Sequence, residues 1–434
     1  MHQQGSGRFE VGGKRASYVL FICAMLHAMC SADWQILAVL IEPMRRDMGL
    51  NDTQVGLVSS VYFLGVILFV IPLSYLVDVW SRKNMLGLMA IFWSTCTMLT
   101  GAASGFVFLL VARLGVGIGE AGFGPGSTAL VSASYPEDRR ARKLGILNAF
   151  ITVGVVLGLA IGGYVSTHYG WRTSFQVLGI AGIGLGILAF FMQDYSLQKE
   201  DGRFVHGSLL ANLRELAGIR TLRWLCVGLG MNAVMQVSVS TWLPALLMRA
   251  YDIHEDKAGY LVGAFTIVGL VGPILGGIAA DRWQRRCAGG RMRLAAVAAG
   301  MAAVFLWLSL AAGLDLHNRA LMYFSVAMMS LHSICVGMAF PAAAATVQDM
   351  VPARSRSLAW GASIAALFLL GGAWGPLLVG TLSDEMGSDY LGIGAGLAAT
   401  GIFGLLASGI WWITARHMRA DSATVQADAA PALP

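Results

Sequence analysis

The chain has 434 residues, of which 56% are hydrophobic and only 12% are charged, and its mean hydropathy is +0.67. Typical soluble domains carry about 25% charged residues, so this composition excludes an ordinary soluble globular protein. The net charge of +6 does not indicate nucleic-acid binding, because the basic residues concentrate at the two termini and in alternate loops.

Apolar runs that are long enough to cross a bilayer, about 20 residues each, recur along the chain. They predict an all-α polytopic membrane protein with twelve transmembrane helices in two pseudo-symmetric halves of six. In chain order the predicted spans are 18–42, 54–78, 84–105, 107–134, 142–166, 172–193, 222–249, 257–281, 292–313, 319–350, 357–382 and 388–415.

These spans define the expected domain organisation. Residues 1–17 form an N-terminal segment, 18–193 and 222–415 form the two six-helix bundles, 194–221 form a linker, and 416–434 form a tail. In the linker, Leu209, Leu213 and Leu216 repeat at helical spacing, which predicts an amphipathic helix on the membrane surface. The small polar residues after Asp421 predict a disordered tail.

The distribution of basic residues predicts the orientation. Of the thirty lysines and arginines, one lies deep inside a span and six lie on the loops and adjoining span ends of one side, while the other twenty-three lie at the termini and on the loops and span ends of the opposite side. The six are Arg45, Arg46, Arg172, Arg249, Lys257 and Arg319. Because basic loops stay in the cytoplasm, we expect both termini to be cytoplasmic, in a plasma membrane or bacterial inner membrane.

The two halves repeat each other. The segment Ser74–Lys83 follows the second span of the first half, and Gly277–Arg286 follows the second span of the other half, with Asp78 and Asp281 at equivalent places. Duplicated halves are common among secondary transporters.

The repeated segment resembles a loop motif of the major facilitator superfamily, G-x-x-x-D-R-x-x-R-[KR]. The second copy matches at Gly277, Asp281, Arg282, Arg285 and Arg286. The family's R-x-x-x-G pattern appears at Arg113–Gly117, and a glycine ladder occupies Gly154–Gly163. The resemblance covers essentially all spans and implies a monomeric transporter that works by alternating access.

The resemblance also implies a conformational latch. In this family the acidic and basic residues of the loop motif belong to inter-helix latches that favour the outward-open state. The residues carried over are Asp78, Arg82, Asp281, Arg282 and Arg285. A plain surface charge beside basic loops is the alternative interpretation of each aspartate.

Within the superfamily, Arg113–Phe123 (R-L-G-V-G-I-G-E-A-G-F) resembles the spinster-like branch. Asp33 stands where that branch has an Asp-Arg pair, and Trp34 takes the place of the arginine. This likeness implies a lysophospholipid or sphingoid-type substrate.

Three ionisable residues lie deep inside apolar spans, where such residues usually have a function. Arg113 and Glu120 are seven residues apart on one helix and so share a face, about 10 Å apart along the axis. Asp33 on the first helix lies at a depth between them. Poor hydration favours a neutral carboxyl and a nearby arginine favours the charged form, so we expect Glu120 or Asp33 to carry a proton. A static network that only joins two helices is the alternative.

Softer candidates for substrate contact lie on the first, seventh and tenth helices, which line the cavity if the family architecture holds. They are His27, Trp34, Asn232, Gln236 and His332, beside Arg113 itself. Asn232, Gln236 and Ser240 repeat every four residues and would form a polar stripe. Taken singly, each residue is more often a hydrogen-bonded polar group of the core than a ligand contact, and the stripe of three is the better evidence for a binding surface.

Together these features predict a proton-coupled secondary transporter of an amphiphilic or anionic lipid-like substrate. A transporter of a small organic acid anion is the nearest alternative, because Arg113 would serve it equally well. A transport-inactive membrane sensor is the alternative of another class. No phosphate-binding loop and no catalytic or metal-ligand spacing occurs, so we expect no enzyme activity, metal, cofactor or nucleic-acid partner.

Overall fold

A computed structural model describes residues 11–194, 214, 216–313, 318–351, 356–387 and 389–429. Within the helices, the side chains of residues 78, 79, 137, 141, 356, 357 and 419–429 lie outside the described part. Leu209 and Leu213, which suggested the amphipathic linker helix, also fall outside it. All regular structure in the described ranges is helical.

The helices follow the apolar runs of the sequence closely. In chain order they are α1 (Gly13–Met48), α2 (Asp52–Val79), α3 (Arg82–Gly101), α4 (Phe106–Glu120), α5 (Phe123–Ser134), α6 (Glu137–Tyr169), α7 (Trp171–Ala189), α8 (Arg220–Tyr251), α9 (Glu255–Gly269), α10 (Val271–Arg286), α11 (Gly290–Ala312), α12 (Arg319–Asp349), α13 (Arg356–Leu367), α14 (Gly375–Glu385) and α15 (Tyr390–Ala429). A π-helical turn, Phe368–Gly372, joins α13 to α14.

Eleven spans in the described ranges are long and apolar enough to cross a membrane. The remaining predicted span is α3, which is 20 residues long but contains several hydroxyl and other polar side chains. The twelve-helix fold predicted from the sequence is therefore confirmed. The last helix continues to Ala429, so the prediction of a disordered tail from Asp421 is wrong over these residues; alanine, a strong helix former, recurs there.

Three of the predicted spans are broken in the middle. The fourth consists of α4 and α5, the eighth of α9 and α10, and the eleventh of α13 and α14. Each helix that follows a break carries a proline in its first turn: Pro125, Pro273 and Pro376. Proline is tolerated there because the first-turn N–H groups have no partner within the helix. The break in the fourth span directly follows Glu120.

The chain divides into two compact units. One comprises Met1–Met44 and Val61–Arg203, and the other comprises Arg45–Ser60 and Phe204–Pro434. The division runs through α2, because its first residues, Asp52–Ser60, group with the second unit while the remainder groups with the first. In the first unit α3 packs on α4 and α7; in the second α11 packs on α12 and α15, and α8 packs on α15.

The glycine ladder of α6 lies in close contact with α1. A Cβ atom at Gly154 would overlap the carbonyl oxygen of Ala28, and one at Gly158 would approach the carbonyl oxygen of Ala32 to 2.7 Å. Small residues at four-residue spacing allow helix backbones to approach in this way. The contact fixes α1, the helix that carries Asp33, against α6.

Gly154→Ala is expected to destabilise the protein by about 1–3 kcal/mol, the usual cost of forcing extra volume into a packed interior. Gly145→Ala on the same helix is the matched control, since nothing lies within 4 Å of a Cβ there. Thermal unfolding in detergent measures both. An equal midpoint for the two variants would contradict a tight α1–α6 contact.

Candidate functional site

The three deep ionisable residues all lie in the first unit and are shielded from solvent. Their exposed fractions are 1% for Asp33, 0% for Arg113 and 5% for Glu120. They come from two helices: α1 supplies Asp33, while α4 supplies Arg113 and, as its last residue, Glu120. None of them points outward at lipid.

Asp33 and Arg113 form a buried ion pair. Nη1 of Arg113 donates to Oδ1 of Asp33 over 3.0 Å, and the Thr97 hydroxyl of α3 donates to the other carboxylate oxygen. The guanidinium lies 5.9 Å from the ring centroids of both Tyr62 and Phe175, a distance at which the negative ring faces attract a cation. Nε and Nη2 of Arg113 have no hydrogen-bond partner in the described part of the chain.

Glu120 pairs with a tyrosine, and no hydrogen bond to Arg113 is seen among the described contacts. The Tyr62 hydroxyl of α2 donates to Oε2 of Glu120 over 2.6 Å, while Oε1 has no partner among the described residues. Gly117 makes this pairing possible, because any Cβ there would overlap the carbonyl oxygen of Tyr62. The Asp33 carboxylate therefore contacts Arg113 and Thr97, whereas the Glu120 carboxyl group contacts Tyr62.

The softer candidates on α1 lie in the same unit. The His27 ring nitrogen Nε2 is 2.8 Å from the Ser127 hydroxyl oxygen, and the ring packs on Phe123 with centroids 4.9 Å apart. Trp34 is half-buried and meets Phe63 edge-on. His27 thus has a polar partner within its own unit.

The candidates of the second unit differ from one another in exposure. On α8, Asn232 is buried and its Oδ1 atom has no partner in the described ranges, whereas Gln236 is exposed and Ser240 is half-buried. On α12, His332 is buried, and its Nδ1 atom is 2.8 Å from the carbonyl oxygen of Ala302 on α11. Asn232 therefore has a buried oxygen that could accept a further hydrogen bond.

Of the predicted latch residues of the second half, Asp281 takes part in a contact that joins three helices. Nη2 of Arg291, at the start of α11, donates to Oδ1 of Asp281 on α10 over 2.8 Å. Another nitrogen of the same guanidinium, Nη1, contacts Asp349 at the end of α12. Arg282 and Arg285 are exposed.

In the first half, Arg82 is 7% exposed at the first position of α3. The side chain of Asp78 lies outside the described part, so the latch prediction for this residue stays a prediction.

A second buried ionic cluster was not predicted. Both carboxylate oxygens of Asp52, the first residue of α2, accept from Arg249 on α8, over 2.8 and 2.6 Å. The Ser383 hydroxyl of α14 donates to the same carboxylate over 2.6 Å. Asp384, which follows Ser383 in the chain, accepts hydrogen bonds from the backbone N–H groups of Asp52 and Thr53 over 3.0 and 2.8 Å. A carboxylate from α14 therefore caps the start of α2.

Sequence reasoning also missed the partners Tyr62, Thr97 and Arg291. Tyr62 and Thr97 are polar residues inside apolar runs, which is a weak signal that many buried hydroxyl groups share. Arg291 lies in the basic stretch after the repeated motif, and nothing in its spacing singles it out. Among the described residues, no three His, Cys, Asp or Glu side chains group in a way that could hold a metal ion.

Comparison with known proteins establishes the family. The sequence model of the Major Facilitator Superfamily matches residues 23–376, well over half of the chain. The chain belongs to the major facilitator superfamily. It is therefore a multi-pass membrane transporter, and the family resemblance drawn from its motifs is confirmed.

Two relatives and one solved structure illustrate the similarity. An MFS-type efflux pump of Mycolicibacterium smegmatis is 26% identical over 94% of this chain and 95% of its own length. A probable galactarate/D-glucarate transporter of Bacillus subtilis is 26% identical over 62% of this chain and 66% of its own. A bacterial homolog of the human lysosomal transporter Spinster, inward-facing and unoccupied, superimposes with a TM-score of 0.81 at 22% identity, covering 94% and 99% of the two chains.

Asp52→Asn is expected to destabilise this transporter by about 3–5 kcal/mol, because it removes the buried carboxylate that two nitrogens of Arg249 contact. Asp252→Asn is the matched control, since Asp252 is exposed and adopts a left-handed conformation that asparagine tolerates. Thermal unfolding of the two variants provides the measurement. Equal midpoints would show that the Asp52 cluster contributes little.

Asp281→Asn is expected to change the balance between inward-open and outward-open states more than it changes substrate selectivity. The substitution weakens the charge-assisted contact with Arg291 that joins α10 to α11. Labelling of single cysteines introduced along α1 and α4 reports the accessibility of each state. Labelling rates identical to those of the parent protein would count against the latch.

Proposed function

We propose that this protein is a proton-coupled transporter of an organic anion that works by alternating access. Arg113 serves as the anion contact, and Asp33 and Glu120 are the proton carriers. The observation that carries the proposal is the buried Asp33–Arg113 pair, in which Arg113 still has unused hydrogen-bond donors.

The guanidinium has the capacity to bind a second anionic group. Arginine presents five N–H donors in a fork that fits a carboxylate or phosphate. Only Nη1 donates to Asp33, while Nε and Nη2 have no partner in the described ranges. Unpaired donors in a buried position favour an acceptor that enters from outside.

Competition for Arg113 couples the anion to the proton. When Asp33 takes up a proton it loses its negative charge, and its hold on Arg113 weakens. An anionic substrate can then replace the carboxylate beside the guanidinium, so the proton and the anion each increase the affinity for the other. Loss of the proton restores the Asp33–Arg113 pair and expels the anion.

Glu120 provides a second site for a proton. One carboxyl oxygen accepts from Tyr62, and the other has no partner among the described residues. A protonated Glu120 could use this second oxygen as a donor to substrate or water. Its position at the break between α4 and α5 places it where the helix can change direction.

The relatives favour a small organic acid as the substrate. The name of the Bacillus subtilis relative gives sugar dicarboxylates as its substrates, and a carboxylate suits the free donors of Arg113. A lysophospholipid or sphingoid remains the second candidate. The spinster-like motif Arg113–Phe123 and the similarity in fold to the Spinster homolog support it.

The membrane topology forms part of the proposal. The excess of lysine and arginine on alternate loops supports an orientation with both termini in the cytoplasm. The bacterial relatives support the inner membrane as the location. We propose that a single chain performs transport, since the proton carriers and the arginine all come from its first unit.

Flux into proteoliposomes with an imposed pH gradient tests the coupling. Asp33→Asn and Glu120→Gln are each expected to reduce gradient-driven accumulation about 5- to 150-fold, the range that corresponds to coupling energies of about 1–3 kcal/mol. Exchange of labelled for unlabelled substrate without a gradient should persist in Asp33→Asn, because Arg113 remains. Asp252→Asn is the control, and full accumulation by both test variants would rule out coupling at these residues.

The same liposomes distinguish the substrates. Labelled galactarate or D-glucarate is expected to accumulate in the liposomes, and an excess of the unlabelled compound is expected to inhibit this uptake. Lysophosphatidylglycerol is not expected to accumulate. If only the lysolipid accumulates, the substrate is the lipid candidate and not a small organic acid. Absence of flux for every organic anion and lysolipid offered, in liposomes where the protein is folded, would contradict transport of either class.

A further inference from the structure

A basic cavity lies where α1 and α6 begin, far from the coupling residues. Its volume is about 710 Å³, and the side chains of Lys14, Arg139, Lys143 and Tyr135 line it. Lys14 precedes Asp33 on α1 by 19 residues, which corresponds to about 28 Å along the helix axis. The cavity is therefore separate from the site proposed for transport.

Two helix N-termini meet at this cavity. Gly13, the first residue of α1, lines it, as does Pro136, which precedes α6. The N–H of Gly12 donates to the carbonyl oxygen of Ser134 over 2.9 Å and so holds the start of α1 against the end of α5. The residue that precedes α6, Pro136, makes no capping hydrogen bond with its side chain. Unpaired N–H groups at a helix start favour an anion.

The charged side chains around the cavity are mainly basic. Lys143, which lines the cavity together with Tyr135, places its ammonium 4.9 Å from the centroid of that ring. Asp138, the described acidic neighbour, lies at the surface with 71% of its side chain exposed and 3.5 Å from Arg139. The described side chains at the cavity therefore carry three positive charges against one negative charge.

An unpaired buried hydroxyl provides an independent indication of a ligand. Tyr135 is only 5% exposed, and its hydroxyl has no hydrogen-bond partner in the described part of the chain. A buried polar group without a partner costs about 1–3 kcal/mol, so such groups are normally satisfied. An oxygen-rich anion in the cavity that Tyr135 lines would accept this hydrogen bond.

We propose that this cavity binds the phosphate group of an anionic ligand, with an acidic phospholipid headgroup or free phosphate as the source. The backbone N–H groups at the starts of α1 and α6, the ammonium groups of Lys14 and Lys143, the Arg139 guanidinium and the Tyr135 hydroxyl are the donors. A phosphate offers enough acceptor oxygens for several of them at once. This site binds the phosphate group and is not part of the transport route.

Binding to the detergent-purified full-length protein tests this proposal, with three probes measured by calorimetry. The probes are dihexanoyl phosphatidylglycerol, dihexanoyl phosphatidylcholine and inorganic phosphate. The phosphatidylglycerol is expected to bind more tightly than the zwitterionic lipid, and inorganic phosphate is expected to compete with it. Inorganic phosphate that binds as tightly as phosphatidylglycerol would assign the site to free phosphate.

Variants link the binding to this cavity. Lys14→Gln combined with Lys143→Gln is expected to weaken binding of phosphatidylglycerol about tenfold or more, because two charge-assisted contacts are lost. Tyr135→Phe should weaken it several-fold without changing any charge. Arg142→Gln is the control, since Arg142 is exposed on the same helix and does not line the cavity.

Unchanged midpoints of thermal unfolding without ligand confirm that each variant is folded. Equal affinity in the parent, the double variant and Tyr135→Phe would overturn the proposal, and so would an equal loss in the Arg142→Gln control. Because no transport is measured, this outcome is independent of the outcome of the flux experiment.

Discussion

The ion pair between Asp33 and Arg113 is the interaction on which the first unit depends. Taking a guanidinium and a carboxylate out of water costs several kcal/mol per ion, and only close partners offset that cost. The surrounding helices supply them: α3 provides Thr97, α2 provides Tyr62 and α7 provides Phe175. Side chains of three further helices thus surround the ion pair that joins α1 to α4.

The same requirement explains why glycine occurs on the helix faces beside the pair. Close approach of α2 to α4 at Gly117 lets the Tyr62 hydroxyl reach Glu120, and close approach of α6 to α1 at Gly154 fixes the helix that carries Asp33. A Cβ atom at either position would overlap a backbone carbonyl oxygen of the neighbouring helix. The helix contacts at these glycines therefore also determine where the Glu120 and Asp33 carboxyl groups lie.

Much of this arrangement could be predicted from the sequence, because a bilayer imposes strong rules on composition. Long apolar runs identified the helices, and ionisable residues inside those runs identified Asp33, Arg113 and Glu120. The partner of each carboxyl group could not be predicted, since both carboxylates were within plausible reach of Arg113. That choice depends on the contact between α2 and α4, which involves residues 58 positions apart in the chain.

The ionic clusters near the helix ends show the same limit more clearly. Asp281 could be identified from a repeated motif, but its partner Arg291 could not. The contacts of Asp52 join residues 197 and 331 positions apart, and a charged residue at the start of a helix usually faces water. Only the fold reveals that this aspartate is buried.

The position of Asp52 on α2 has a mechanical consequence. The helix is continuous from Asp52 to Val79, yet its first residues belong to the second unit and its remainder, with Tyr62, to the first. The Asp52 carboxylate anchors the first turn of α2 to α8 and α14, so the loss of this one charge would release the start of the helix from two neighbours at once.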